Sequence, residues 1–118
     1  MDLKEQAAHT VILISRGGMG QAKEELQQKL IKTYLRLLKE AEVLPAVICF
    51  YAEGVRLVLA DSPVLEELRA LEKAGVHLVL CGTCLNYFDA ADQVAVGVVG
   101  GMTDIIEAQF QARRVITL

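Results

Sequence analysis

The sequence predicts an α/β domain, a three-layer sandwich with helices on both faces of a mostly parallel sheet of about five strands. Three observations carry this reading. Short β-branched and apolar runs alternate along the chain with helical patterns of three- and four-residue spacing. One run, Val76 to Leu80, is nearly all apolar, as in a strand covered on both faces of a parallel sheet. The chain has 118 residues, 53% of them apolar and 23% charged, which suits one domain with a substantial core and not a disordered segment.

Taken in order, residues 1–9 are polar and read as a loose lead-in to a single domain spanning 1–118. Thr10 to Ser15 forms the first strand, and Arg16-Gly17-Gly18-Met19-Gly20 stops it. A long helix follows, with Leu26, Leu30, Tyr34, Leu37, Leu38 and Ala41 on one face. Pro45 opens a second strand, Ala46 to Tyr51, which Ala52-Glu53-Gly54 ends. Val55 to Ala60 fits either a short strand or a helical turn. Ser62-Pro63 announces a second helix whose apolar face is Val64, Leu65, Leu68 and Leu71, and Gly75 caps its end.

The third strand is Val76 to Leu80. A short helix over about Leu85 to Ala91 and a strand from Val94 to Val99 come next. Gly100-Gly101 then turns the chain into a helix with Met102, Ile105, Ile106 and Phe110 on one face, and Val115 to Leu118 closes the sheet. This alternation implies right-handed crossovers but does not give the strand order.

Composition narrows the function. The net charge is −3 and no basic run exceeds Arg113-Arg114, so nothing would neutralise a track of phosphates and no nucleic-acid partner is expected. The apolar runs are too short to cross a bilayer, and the first residues, with Asp2, Lys4 and Glu5, do not read as a signal peptide. A cytoplasmic protein is expected, in which thiols stay reduced. Of the three cysteines, Cys49 lies mid-strand, and His9 and His77 are scattered. One thiol pair is a poor metal site, so neither a metal nor a cofactor is expected.

In open parallel sheets, sites form at the carboxyl ends of the strands. Cys81-Gly82-Thr83-Cys84 falls there, where the third strand meets a short helix. A thiol at a helix N-terminus faces unpaired backbone N–H groups that favour thiolate, the nucleophilic form. Gly82 lets the backbone approach closely, and Thr83 supplies a hydroxyl. Gly17, Gly18, Met19 and Gly20 either cradle an anion or make a plain tight turn. Glu53, at the end of the second strand, either faces the same crevice or is a solvated loop acid. His77 shares a strand face with Cys81 but stands about 13 Å away along an extended chain, too far to act as its base.

Ile14-Ser15-Arg16-Gly17-Gly18-Met19-Gly20, Glu53-Gly54-Val55-Arg56-Leu57 and Cys81-Gly82-Thr83-Cys84-Leu85-Asn86-Tyr87 together resemble the DsrE-like family, nearest the C-terminal domain of YedF-type proteins, which are described as sulfurtransferase-like and linked to selenium metabolism. The resemblance runs from about residue 10 to 118. It implies a small parallel α/β sandwich, assembly into a homo-oligomer, and sulfur carried as a cysteine persulfide. By position the active cysteine matches Cys81, with Cys84 as a resolving or second acceptor thiol. YedF-type proteins usually carry a TusA-like domain, for which this sequence has no room, so a separate TusA-like carrier is the implied partner. Where many relatives place a glycine after the aromatic pair, this sequence has Asp89.

The leading reading is therefore sulfur or selenium relay, by a sulfurtransferase or a carrier. Two others stay open on the same residues: a dithiol–disulfide redox protein using Cys81 and Cys84, and a non-catalytic module binding a small anion or nucleotide.

Overall fold

The computed structural model describes residues 2–118. The chain runs α1 (Leu3–Ala7), β1 (Thr10–Ile14), α2 (Glu24–Glu40), β2 (Val47–Phe50), a 3-10 segment (Ala52–Val58), α3 (Leu65–Lys73), β3 (His77–Cys81), α4 (Gly82–Tyr87), β4 (Val98–Gly100), α5 (Met102–Gln111) and β5 (Arg114–Thr117). All four strand pairings are parallel, in the order β4-β3-β2-β1-β5. The α/β class and the five-stranded parallel sheet are those expected from the sequence.

Each step from β1 to β4 moves the chain one strand along the sheet. Right-handed crossovers then put the intervening helices on one face, where α2 packs against α3. The step from β4 to β5 returns past β1 in the opposite direction and carries α5 over the other face.

The register assigns the core to two layers. Ile12, Ile14, Ile48, Phe50, Leu78 and Leu80 alternate towards α2 and α3, and all are buried. Val11, Leu13, Cys49, Val79 and Cys81 point to the α5 side. Val79 marks that side, because a Cβ placed on Gly100 would meet both Val79 and Asp104 of α5. The helix expected to end at Gly75 does so: with Gly75 at φ +106, Val76 N–H donates to Leu71 O (3.0 Å) and Gly75 N–H to Glu72 O (3.0 Å), the paired bonds of a Schellman end.

Six expectations need correction. Residues 3–7 are not a loose lead-in but helix α1; the Asp2 carboxylate accepts the Glu5 N–H (2.8 Å) and Thr10 Oγ1 donates to Gln6 O (2.7 Å). Helix α2 is rotated from the expected face: Ile31 and Leu35 are its buried residues, while Leu26, Leu30 and Leu37 are exposed, because its apolar arc is wider than the surface it covers. The start of α3 lies beyond Pro63, with Ser62 Oγ accepting the Val64 N–H (3.1 Å) ahead of the first turn.

Helix α4 begins at Gly82, directly after β3, and not at Leu85. The strand expected over Val94 to Val99 splits: Val94 bridges Leu59 in antiparallel fashion, and Gly97, at φ +87, breaks the run so that only Val98–Gly100 joins the sheet. On α5 only Ile105 is buried, and Met102, Ile106 and Phe110 are exposed.

Candidate functional site

Cys81 ends β3, opposite Gly100 of β4, and is the residue from which α4 starts. Its side chain is 1% exposed and makes no cap bond to α4. Cys84 lies one helical turn further on and is partly open to solvent. The Cys81 thiol is close enough to Cys84 to bear on its proton affinity. The Cys84 sulfur also accepts the backbone N–H of Ala52 at 3.1 Å. Cys81, expected to be the open reactive thiol, is instead buried in the core, and Cys84 is the one partly open to solvent.

The donor at Ala52 is placed by β1 and the end of β2 acting together. Tyr51 N–H, just past β2, donates to Ile14 O of β1 (3.1 Å), and Gly54 N–H donates back to Tyr51 O (2.9 Å). A Cβ at Gly54 would lie 2.0 Å from Ile14 O, so only glycine lets the 3-10 segment close over the end of β1. Ala52 itself is held at φ 50, a left-handed conformation unusual for alanine. That conformation turns its N–H towards the α4 sulfur.

Burial pushes the Cys84 thiol up, the neighbouring Cys81 thiol adds to the rise, and the Ala52 N–H pulls the other way. The direction is opposite to that of a thiol activated by a helix N-terminus. With only six residues, α4 has little macrodipole to offer. Burial pushes the Cys49 thiol up to about 11, which suits a small apolar core residue.

Against the 3-10 segment lies a cleft of about 340 Å³, whose lining includes Gly17, Glu24, Arg56, Asp61 and Phe88. A second cleft of about 390 Å³ adjoins it, lined by Arg16, Gly17, Glu24, Gln27, Glu53 and Arg56. Neither cysteine lines either cleft. The link runs through the 3-10 segment: Ala52 binds Cys84, and its neighbour Glu53 lines the second cleft. Arg56 pairs with Glu53 and lies 4.6 Å over the Phe88 ring, and Phe88 follows Cys84 by one turn of α4.

The glycine loop is largely spent on folding. Met19 N–H donates to Gln27 O (3.0 Å), Gln27 Nε2 donates to Gly20 O (2.8 Å), and Gly18 packs directly on Gln27. The first turn of α2 already carries Glu24 and Glu25, which face the positive end of the helix. Of Gly17, Gly18, Met19 and Gly20, Gly17 alone lines a cleft. Gly82 fits under Gly100, whose carbonyl oxygen would be 3.2 Å from a Cβ there. Thr83 is exposed, and its hydroxyl makes no hydrogen bond among the described residues.

Sequence reasoning did not single out Arg56 as a site residue, nor Ala52 as a donor to sulfur, nor Phe88. A usable signal was the three-residue spacing of Glu53 and Arg56. Among the described residues no group of three His, Cys, Asp or Glu side chains is placed to hold a metal, and no helix is long and apolar enough to cross a membrane.

The sequence profile of the DsrE/DsrF-like family matches residues 8–118. No curated protein matches the chain at a significant level. Among solved structures, the protein of unknown function MTH1491 from Methanobacterium thermoautotrophicum is 20% identical, with 92% of this chain and 97% of that one aligned and a TM-score of 0.68. The conserved protein of unknown function BT1422 from Bacteroides thetaiotaomicron is 15% identical, covering 96% and 97% of the two chains with a TM-score of 0.69. The ychN protein from E. coli is 16% identical, covering 93% and 99% with a TM-score of 0.65. At these identities the likeness is one of fold.

Proposed function

The chain belongs to the DsrE/DsrF-like family, which is associated with sulfur relay, and from that premise we propose that it relays sulfane sulfur through the thiol pair Cys81 and Cys84. The supporting observation is a pair of neighbouring thiols at the β3–α4 junction, the outer one partly open and held by a backbone N–H. The Cys84 sulfur, as thiolate, attacks the terminal sulfur of a donor R–S–SH. The donor S–S bond breaks, a Cys84 S–S bond forms, and the donor leaves as RSH with the proton that Cys84 gave up. The Ala52 N–H steadies negative charge on Cys84 before and after each transfer. Cys81 takes the same sulfur by attacking the outer atom of the Cys84 persulfide, which holds it away from water. No oxidant is consumed.

A separate TusA-like carrier is the proposed acceptor. The exposed strip of Met102, Ile106 and Phe110 on α5, with Phe110 85% exposed, is the proposed contact between copies of the chain in a homo-oligomer.

Intact mass spectrometry after treatment with a sulfane-sulfur donor tests the relay. Wild type should gain one sulfur, and Cys84→Ser should not. A gain that survives in Cys84→Ser but vanishes in Cys81→Ser reverses the proposed order of the thiols. A second reading, dithiol–disulfide cycling, is favoured by the placement of two free cysteines three residues apart at the start of α4. It requires both cysteines in every turnover, whereas Cys81→Ser should still capture sulfur in a relay.

A further inference from the structure

The two adjoining clefts share Gly17, Glu24 and Arg56 and flank the segment that grips the Cys84 sulfur. Their charges are of both signs and only partly matched. Arg56 is pinned by Glu53 and the Phe88 ring. Arg16 makes no ion pair or hydrogen bond among the described residues, and neither does Asp61. Glu24 accepts only from the neutral Gln28 (3.0 Å). The walls thus present a fixed cation, a free cation and two acids without cationic partners.

A wholly anionic ligand would meet Glu24 and Asp61, and a wholly cationic one would meet Arg16 and Arg56. A zwitterion satisfies both sets. Each cleft lies within the roughly 300–1,000 Å³ usual for small ligands, and together they exceed what a single amino acid fills. Such a space takes a short peptide and not the surface of a folded carrier.

We infer that the paired cleft binds the donor of the sulfur: a low-molecular-weight thiol peptide in persulfide form, its carboxylates on Arg16 and Arg56 and its ammonium on Glu24 or Asp61, with the sulfane sulfur directed at Cys84. The fate of the sulfur rests on the relay reading, whereas the zwitterion-binding cleft does not depend on it. The transfer is the balanced exchange already given, with the peptide thiol as RSH. Glu53, which lines the second cleft, directly follows Ala52, whose backbone nitrogen is 3.1 Å from the Cys84 sulfur. A ligand seated against Glu53 and Arg56 therefore lies one residue from the group that holds the outer sulfur.

Binding and loading are measured separately. Isothermal titration uses S-methylglutathione, which has the zwitterionic frame and no transferable sulfur. Wild type should bind it, and Arg16→Gln and Asp61→Asn, both changes outside the core, should each weaken binding about tenfold. Loading of Cys84 is then timed with glutathione persulfide and with inorganic polysulfide, which has no ammonium or carboxylate. The ratio of the two rates should fall about tenfold in each variant. Absence of S-methylglutathione binding to wild type, or an unchanged ratio in both variants, overturns the inference. If neither donor loads Cys84 but S-methylglutathione binds in an Arg16-dependent way, the relay reading fails and the cleft assignment stands.

Discussion

Replacing Gly54 by alanine puts one methyl group against the end of β1, and the structure sets the size of the consequence. The new Cβ would lie 2.0 Å from Ile14 O, 2.7 Å from Ile14 C and 3.2 Å from Ser15 N. Comfortable separations for such pairs are about 3.5 Å, so the 3-10 segment and β1 must part by more than an ångström. The obstructing atoms are all backbone, and no rotamer change relieves them. Tyr51 N–H, which donates to that same Ile14 oxygen at 3.1 Å, must stretch or let go.

Overpacking of this kind costs about 1–3 kcal/mol, and a strained hydrogen bond adds about 1 kcal/mol, for a loss near 3 kcal/mol. For a chain of this length that corresponds to a fall in Tm of about 12 °C. Thermal melting by circular dichroism measures it. Gly17→Ala is the control, since nothing lies within 4 Å of its Cβ, and it should melt within about 2 °C of wild type. A Gly54→Ala protein that melts as high as this control would refute the argument that glycine is required for closure over β1.

Cys49 is 0% exposed, with its thiol pushed from the ordinary 9.0 up to about 11. As pH rises the unfolded chain loses this proton first, so stability is level below about 9 and falls between 9 and 11. The loss is at most about 3 kcal/mol. Urea titrations across that range should show the decline, and Cys49→Ala should flatten it. The Cys84 thiol, raised by burial and by Cys81, should alkylate about tenfold faster per pH unit from 7 to 8.5 with no plateau. Cys81→Ala should move the midpoint of that profile down, and a plateau near neutral pH in wild type would contradict the environment described. On α2, Leu35→Ala should cost about 2–5 kcal/mol, whereas the exposed Leu37 should cost under about 1 kcal/mol, as denaturation midpoints will show.

Strands β1, β2 and β3 were legible because each is a short apolar run buried between two layers, which is what the centre of a parallel sheet demands of its sequence. The Schellman end at Gly75 was legible for a local reason, since one residue must take a positive φ there. The face of α2 was not. Leu26 and Leu37 match the period as well as Ile31 and Leu35 do, and only the width of α3 and the sheet decides which are covered. Helix α1 is too short for any period to show.

At the site, spacing put Cys81 and Cys84 together at the β3–α4 junction. Which sulfur faces outward depends on the 3-10 segment thirty residues earlier, folded back by its contact with β1. The Glu53, Arg56 and Phe88 cluster joins two separate loops, so no local pattern announces it. The anion cradle read into the glycine loop missed the two bonds that tie it to Gln27.

Ala52 bears on how such a protein responds to selection. Its left-handed backbone costs an alanine roughly 1–2 kcal/mol that a glycine would largely escape, even after the extra freedom glycine gives the unfolded chain. Ala52→Gly should therefore raise the melting temperature by a few degrees. The same change frees the amide to wander from Cys84, so the hardier protein should hold its sulfur less firmly. A screen for heat tolerance alone would favour that substitution, while one that scored persulfide lifetime as well would keep the methyl group.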